Sequence, residues 1–556
     1  MTLSEALMKM VGPLEDEHGG ALSRRDIAAH GTLLVLVSWC VWRPVETFPT
    51  TAVVVAAAVL GLAVWAWRRT PRGSNPWMVL GVAGGVLAAS GLAGWDPASA
   101  VVEIAVVAVV VALIWLASRL QPPEQWPALL ALAISALALW GLWQVVGGMA
   151  QAAAEIGHLP DDIRAAATER LTSGRAFASQ TLPSHLAALL ATALPLLLVR
   201  LRPRWSAAPW AVGSTLCIVG LAITRSPIGV ALAMGACSAL VLARRRRSLI
   251  WITLVLVLVL AVVVVGRGDV AELEPVRLRL DNWQTAVWVW SQSPAAGVGF
   301  GGFAQAAQAV PFEVGNRPRH AHSMPLEWLA ELGPAGLLTC ALVAFALWRL
   351  LRDLWPERPE LSVALAVIPA HNLVDFSFYS SGVALVWAVL VGWGMSLRRH
   401  AREAASPPAR GRIVFVSAAT LALAATALHV TSIAVEESAA VREDPVERFD
   451  DAIQARRLAP WRVEPLGLIA NAAFEMKDPQ LVSAAREELD RGRWLRPRSA
   501  AIGGLRKQLA IADGDAPTAI AEAWTSAHEQ PSNESHIEEF EALLSRLEPG
   551  AVDDDP

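Results

Sequence analysis

The sequence predicts an all-α protein: a polytopic transmembrane helical bundle of about 12–13 helices, carrying a long outer loop with short helices and a C-terminal soluble helical-repeat domain. Three observations predict it. The 556 residues are 54% hydrophobic and 17% charged, whereas soluble domains carry about 25% charged residues. Apolar windows long enough to cross a bilayer recur along the first four-fifths of the chain. Arginines gather in alternate connections between those windows, as cytoplasmic loops require.

A hydrocarbon core about 30 Å thick needs roughly 20 apolar residues per helix. Windows near that length fall at 27–43, 50–67, 77–94, 100–118, 126–150, 183–199, 207–224, 226–243, 248–266, 333–350, 360–376, 380–397 and 413–433. None alternates polar with apolar residues, which excludes a closed β-barrel. Some 26 residues precede the first window without a cleavable signal pattern, so that window is expected to stay as a helix. The arginine-bearing connections are Arg68/Arg69/Arg72, Arg119, Arg200/Arg202/Arg204, Arg244 to Arg247, Arg349/Arg352/Arg358 and Arg398/Arg399/Arg402. Thirteen helices put them all on one face, leaving 151–182, the Arg225 junction, 267–332 and the tail on the other. The domain limits that follow are 1–26 for an N-terminal cytoplasmic segment, 27–433 for the membrane part and 436–550 for the soluble tail.

From Glu436 onward the chain has 25 acidic and 14 basic residues, a net of −11 against −4 for the whole. Pro460, Pro497 and Pro531 close helical stretches at separations of 37 and 34, a spacing that resembles tetratricopeptide helix pairs. A non-repeating helical domain is the alternative. The four cysteines lie in apolar runs without CxxC spacing, so neither a disulfide framework nor a zinc site is expected.

Polar groups able to do chemistry are few on the arginine-poor face. Arg175 lies in SGRAFASQTLPSHLA before an apolar run; it reads as an anion ligand or a headgroup anchor. Arg225, in ITRSPIG between two apolar runs, reads as a cavity-facing charge or a topological marker. The loop 267–332 carries Arg277 and Arg279 in VRLRLDNWQTAVWVW, an amphipathic stretch ended by Pro294, then SPAAGVGFGGF, then Arg317, Arg319, His320 and His322. The glycines lack the strand–turn–helix setting of a dinucleotide fingerprint. A lone histidine is more often structural than catalytic. His322 differs in joining several arginines beside a membrane, where an imidazole that is neutral near pH 7 can accept a proton. Glu327 and Glu331 follow at i,i+4 on one helix face, placed to orient His322 or hold an acceptor. His371 and Asp375, in HNLVDFSFY, are expected as i,i+4 neighbours facing the bundle interior, as structural hydrogen-bonding groups or as support for the site.

In chain order, Arg175 before an apolar helix, ITRSPIG, Arg279-x3-Trp283 with GVGFGGF, AHSMPLEWLAELGPAG and HNLVDFSFY resemble the O-antigen ligase and O-antigen polymerase superfamily across about residues 175–379. These are membrane glycosyltransferases with a long periplasmic loop, often with a tetratricopeptide-like tail. The resemblance implies a bacterial inner-membrane protein with a cytoplasmic N-terminus and a periplasmic C-terminal domain. It implies transfer of a glycan from an undecaprenyl-diphosphate carrier to a glycan or lipid acceptor hydroxyl. His322 is then the base, with Glu331 beside it, Arg279, Arg225 and Arg175 bind the diphosphate, and His371 and Asp375 stand behind. No cofactor, metal or nucleic acid is expected; membrane lipids are partners, and the tail is a site for protein partners. A flippase or transporter without glycosyl transfer is the alternative from another class, and a membrane anchor for the tail is a third.

Overall fold

The computed structural model describes residues 24–43, 96–118, 125–158, 161–199, 207–244, 253–259, 274–311, 318–400, 431–496 and 499–529, with short pieces at 90, 94, 428, 538 and 540–543. The expected helices at 50–67, 77–94, 248–266 and 413–433 lie wholly or largely outside the described residues, as do Arg68, Arg69, Arg72, Arg119, Arg200, Arg202, Arg204, Arg245 to Arg247, Arg317 and Arg402. All regular structure among the described residues is helical. In chain order the helices are α1 (Arg24–Trp42), α2 (Pro97–Ala117), α3 (Trp126–Ser135), α4 (Leu137–Trp143), α5 (Met149–Glu155), α6 (Asp161–Thr172) and α7 (Pro183–Leu198). Then come α8 (Ala208–Thr224), α9 (Pro227–Arg244), α10 (Glu274–Gln292), α11 (Met324–Leu332), α12 (Pro334–Leu354), α13 (Pro359–His371) and α14 (Ser381–His400). The tail holds α15 (Pro445–Leu458), α16 (Pro465–Met476), α17 (Pro479–Leu495), α18 (Ala500–Asp513) and α19 (Ala516–Glu529).

Four of these stretches are long and apolar enough to cross a membrane: Trp126–Glu155, Pro227–Arg244, Pro334–Leu354 and Ser381–Arg398. Four shorter apolar helices accompany them, at Gly31–Trp42, Val102–Ala117, Pro183–Leu198 and Ala208–Thr224. Proline opens α2, α7, α9, α12 and α13, where its missing N–H costs nothing and its fixed φ suits the first turn. The all-α membrane-protein class follows from the composition and from these helices together.

The chain divides into two compact units. The first comprises 1–74, 109–273 and 342–416. Its centre is α7, in which every residue from Ser184 to Leu198 is buried. A helix apolar all round belongs in an interior, and α7 packs against α3, α8, α9 and α13. The sequence reading expected one helix over 126–150. One helical stretch runs over Trp126–Glu155, five residues beyond that expectation, with a π-helical turn at Gln144–Gly148 set within it. Such single-turn insertions collect at functional sites, and this one aims the Gln144 side chain at a loop described below.

The second unit comprises 75–108, 274–341 and 417–556. Here α10 and α11 pack together over Ala286, Val289, Val298, Phe303, Ala321 and Ala330. In the tail α15 packs on α16, α16 on α17, and α18 on α19, around Phe449, Leu466, Ile469, Leu489 and Ile502. Asp444, Asp478 and Ser499 cap their helices by accepting backbone N–H groups from Val446, Gln480 and Ile502, each cap worth about 1 kcal/mol. Arg496, at the end of α17, reaches the start of α2. Its Nε donates to Asp96 Oδ1 at 3.1 Å and its Nη2 to Ser99 Oγ at 3.4 Å. Asp96 in turn accepts the Ser99 N–H and hydroxyl at 3.0 and 2.7 Å, which makes it the cap of α2.

Candidate active site

The sequence-selected residues fall into two sets, one in each unit. In the second unit, Arg279 and Trp283 stand one turn apart on α10. The indole N–H of Trp283 donates to the His322 carbonyl at 3.2 Å, so the histidine loop is tied to the helix that carries Arg279. His322 sits in the left-handed region at φ +53, an uncommon place for a residue with a side chain. Two neighbouring contacts hold it there. Glu327, 1% exposed, accepts the Ala321 N–H through Oε2 at 2.8 Å, and its Oε1 lies 2.9 Å from His320 Nδ1. A carboxylate on Nδ1 fixes the tautomer and ring plane of an imidazole. Met324–Leu332 starts directly after this turn, with Pro325 in its first turn and Glu327 facing back over the loop.

Glu331 is also 1% exposed but does not hold the histidine turn; Glu327 does. Glu331 Oε1 accepts the Phe303 N–H at 3.3 Å, behind the glycine-rich turn. That turn is bound to α11 backbone to backbone: the N–H groups of Val298 and Gly299 donate to the carbonyls of Ala330 and Glu331 at 3.0 and 2.9 Å. Gly297, at φ +72, lies so close that a Cβ there would meet the Glu331 carbonyl carbon at 2.2 Å. The glycines of GVGFGGF thus serve close backbone packing.

Burial pushes the Glu331 carboxyl well above its usual range, and the nearby carboxyls of Glu103 and Glu327 add to the rise; N–H groups of Gly301 and Phe303 offset part of it. The folded protein therefore holds a proton that the unfolded chain, with an ordinary value of 4.5, releases. This contribution costs stability as pH climbs above 4.5 and stops growing once the raised folded value is passed. Glu331→Gln removes that slope. Thermal unfolding of detergent-purified protein from pH 5 to 8 should show the variant gaining on the wild type as pH rises. A constant gap across the range would refute this.

In the first unit, the loop after α6 is strapped down from three sides. Gln144 Oε1 accepts the N–H groups of Phe177 and Ala178 at 3.1 and 2.7 Å, and its Nε2 donates to the Ala178 carbonyl at 2.9 Å. Ser179 and Gln180 both donate to the Val41 carbonyl at 2.8 Å. The Ala176 N–H donates to the Ile223 carbonyl at 3.0 Å, and Arg175 Nε to the Thr224 carbonyl at 3.2 Å. Arg225, exposed and left-handed at φ +48, ends α8 at that spot. Its guanidinium lies above Gly174, whose missing Cβ would stand 3.9 Å from Nη1. Arg175 and Arg225 thus occupy one corner. Pro227 explains the break, since the residue before a proline leaves the helical region.

His371 and Asp375 do meet, but not as residues of one helix. The helix expected over 360–376 ends at His371. Asn372 folds the chain back by donating to the Ile368 carbonyl at 2.8 Å and accepting the Phe378 N–H at 3.0 Å. Asp375, fully buried, then lies 3.8 Å from Nε2 of His371 on one side and 3.8 Å from Nε2 of His185 on the other. His371 Nδ1 is 3.0 Å from Ser377 Oγ, and His185 Nδ1 is 3.0 Å from Thr181 Oγ1. Sequence reasoning missed His185. Its only signal is a polar ring in an otherwise apolar helix, in the loop motif that also carries Arg175.

No curated protein matches the chain. Residues 212–341, which run from α8 through the Arg225 junction, α10, the glycine turn and the His322 loop into α12, match the family model described as O-antigen ligase. Taken with the membrane helices, that match makes this part of the chain similar to the O-antigen ligase family and supports a membrane glycosyltransferase-like character.

Proposed function

We propose that the protein transfers a glycan from undecaprenyl diphosphate to an acceptor hydroxyl, in a metal-independent, inverting displacement. The acceptor oxygen attacks the anomeric carbon and His322 takes its proton. The carbon–oxygen bond to the diphosphate breaks, and that diphosphate leaves with the electron pair. Arg279, Arg225 and Arg175 are the cations for the growing charge; guanidinium binds phosphate oxygens bidentately and stays charged at any accessible pH. Glu331, His371 and Asp375 take supporting roles in this reading. The single observation that carries the reading is the Trp283 bond to the His322 carbonyl, which ties a base-bearing loop to the helix of Arg279.

The proposal places the protein in the bacterial inner membrane as a multi-pass protein, N-terminus in the cytoplasm and tail in the periplasm. Consecutive packed helix pairs in the tail support a tetratricopeptide-like domain that receives a protein partner. The test is the lipid-linked glycan profile of a strain lacking the gene. Single repeat units left on carrier identify a polymerase, and full-length chains left on carrier identify a ligase. A carrier-linked intermediate trapped in the cytoplasmic leaflet would identify a flippase and reject transfer.

A further inference from the structure

α10 contains two side chains whose polar atoms are sealed from solvent and unmatched. Asn282 is 1% exposed and Thr285 fully buried. Neither the amide nitrogen and oxygen of Asn282 nor the hydroxyl of Thr285 has a hydrogen-bond partner among the described residues. Elsewhere in the protein Thr192, Thr215 and Thr339 return their hydroxyls to the carbonyl four residues back; Thr285 does not. Buried polar groups in folded proteins are nearly always paired, and leaving one unpaired costs stability.

The position of these atoms is informative. At about 100° per residue, Asn282 stands at the centre of a helix face flanked by Arg279 and Ala286 on one side and Thr285 and Val289 on the other. Ala286 and Val289 pack in the core that contains Ala321 and Ala330. The face therefore looks toward the His322 turn and α11, where Glu331 Oε2 is likewise buried without a partner among the described residues.

We propose that Asn282 and Thr285 form a sugar subsite, binding hydroxyl groups of the pyranose attached to the carrier diphosphate. An amide offers two donors and an acceptor and a hydroxyl offers both roles, which suits adjacent sugar hydroxyls. Arg279 is three residues from Asn282, hence a neighbour on the helix surface. A sugar joined through its anomeric oxygen to a phosphate held by Arg279 falls beside Asn282. The inference rests on the carrier-diphosphate reading above.

The test uses full-length Asn282→Leu and Thr285→Val, purified in detergent. The probes are undecaprenyl diphosphate with and without one N-acetylglucosamine. Without lipid, both variants should melt no lower than the wild type, because apolar replacements remove unmatched polar groups. The sugar-bearing lipid should raise the wild-type Tm more than the bare lipid does, and the two lipids should act alike on the variants. Glycan transfer should fall at least about fivefold, the loss of one hydrogen bond. Variants that melt below the wild type would assign these atoms to the fold and its buried water, and overturn the subsite. Equal wild-type shifts with both lipids would overturn it too. A wild type shifted by neither lipid would reject the carrier-diphosphate reading itself, and the subsite with it.

Discussion

Replacing His322 with alanine should lower glycan transfer by roughly 10²–10⁴-fold, the range for losing a positioned general base, while leaving the protein folded and inserted. Three contacts that shape this turn run through backbone groups or neighbouring side chains and survive the replacement. Trp283 holds the His322 carbonyl, and Glu327 holds the neighbouring Ala321 N–H and His320. Alanine inherits the left-handed backbone at φ +53 with a strain much like that of histidine, about 1–2 kcal/mol. Membrane-fraction level and detergent melting should match the wild type, so that the defect appears in a transfer assay alone. Wild-type transfer by this variant would remove the base from the mechanism.

Gly297→Ala should have the opposite signature: a loss of stability with activity following it down. A methyl group would be driven to 2.2 Å from the Glu331 carbonyl carbon and 2.3 Å from its oxygen, and both belong to backbone that cannot rotate away. Left-handed strain of about 1–2 kcal/mol adds to about 1–3 kcal/mol of overpacking, so the variant should lose roughly 2–5 kcal/mol. The measurement is thermal or denaturant unfolding of the purified chain. An unchanged melting curve would mean that the glycine turn and α11 are not in backbone contact.

The membrane helices were legible because lipid solvation leaves a local record. Apolar run length marks the spans and a proline marks several of their starts, as at Pro183, Pro227 and Pro334. Arg279, Arg225, Arg175 and His322 were legible as scarce charges in the polar joints of an apolar chain. What failed to show depends on contacts between distant segments. The π turn at Gln144 has no compositional mark, and its purpose is visible only with Phe177 and Ala178 in place. The end of α13 at His371 is set by the Asn372 side chain overriding an apolar pattern that continues through Leu373 and Val374. Glu327 and Glu331 look interchangeable at i,i+4, yet one grips the histidine turn and the other supports the glycines. Asn282 in an amphipathic helix reads as a surface residue until its burial is known.

The hold of Arg496 on Asp96 and Ser99 bears on how such chains can be recombined. A foreign C-terminal domain grafted after α14 without an arginine at this corner would leave Asp96 to the Ser99 hydroxyl and the N-terminal dipole of α2. The join between the appended domain and this helix start is therefore worth preserving when the tail is exchanged.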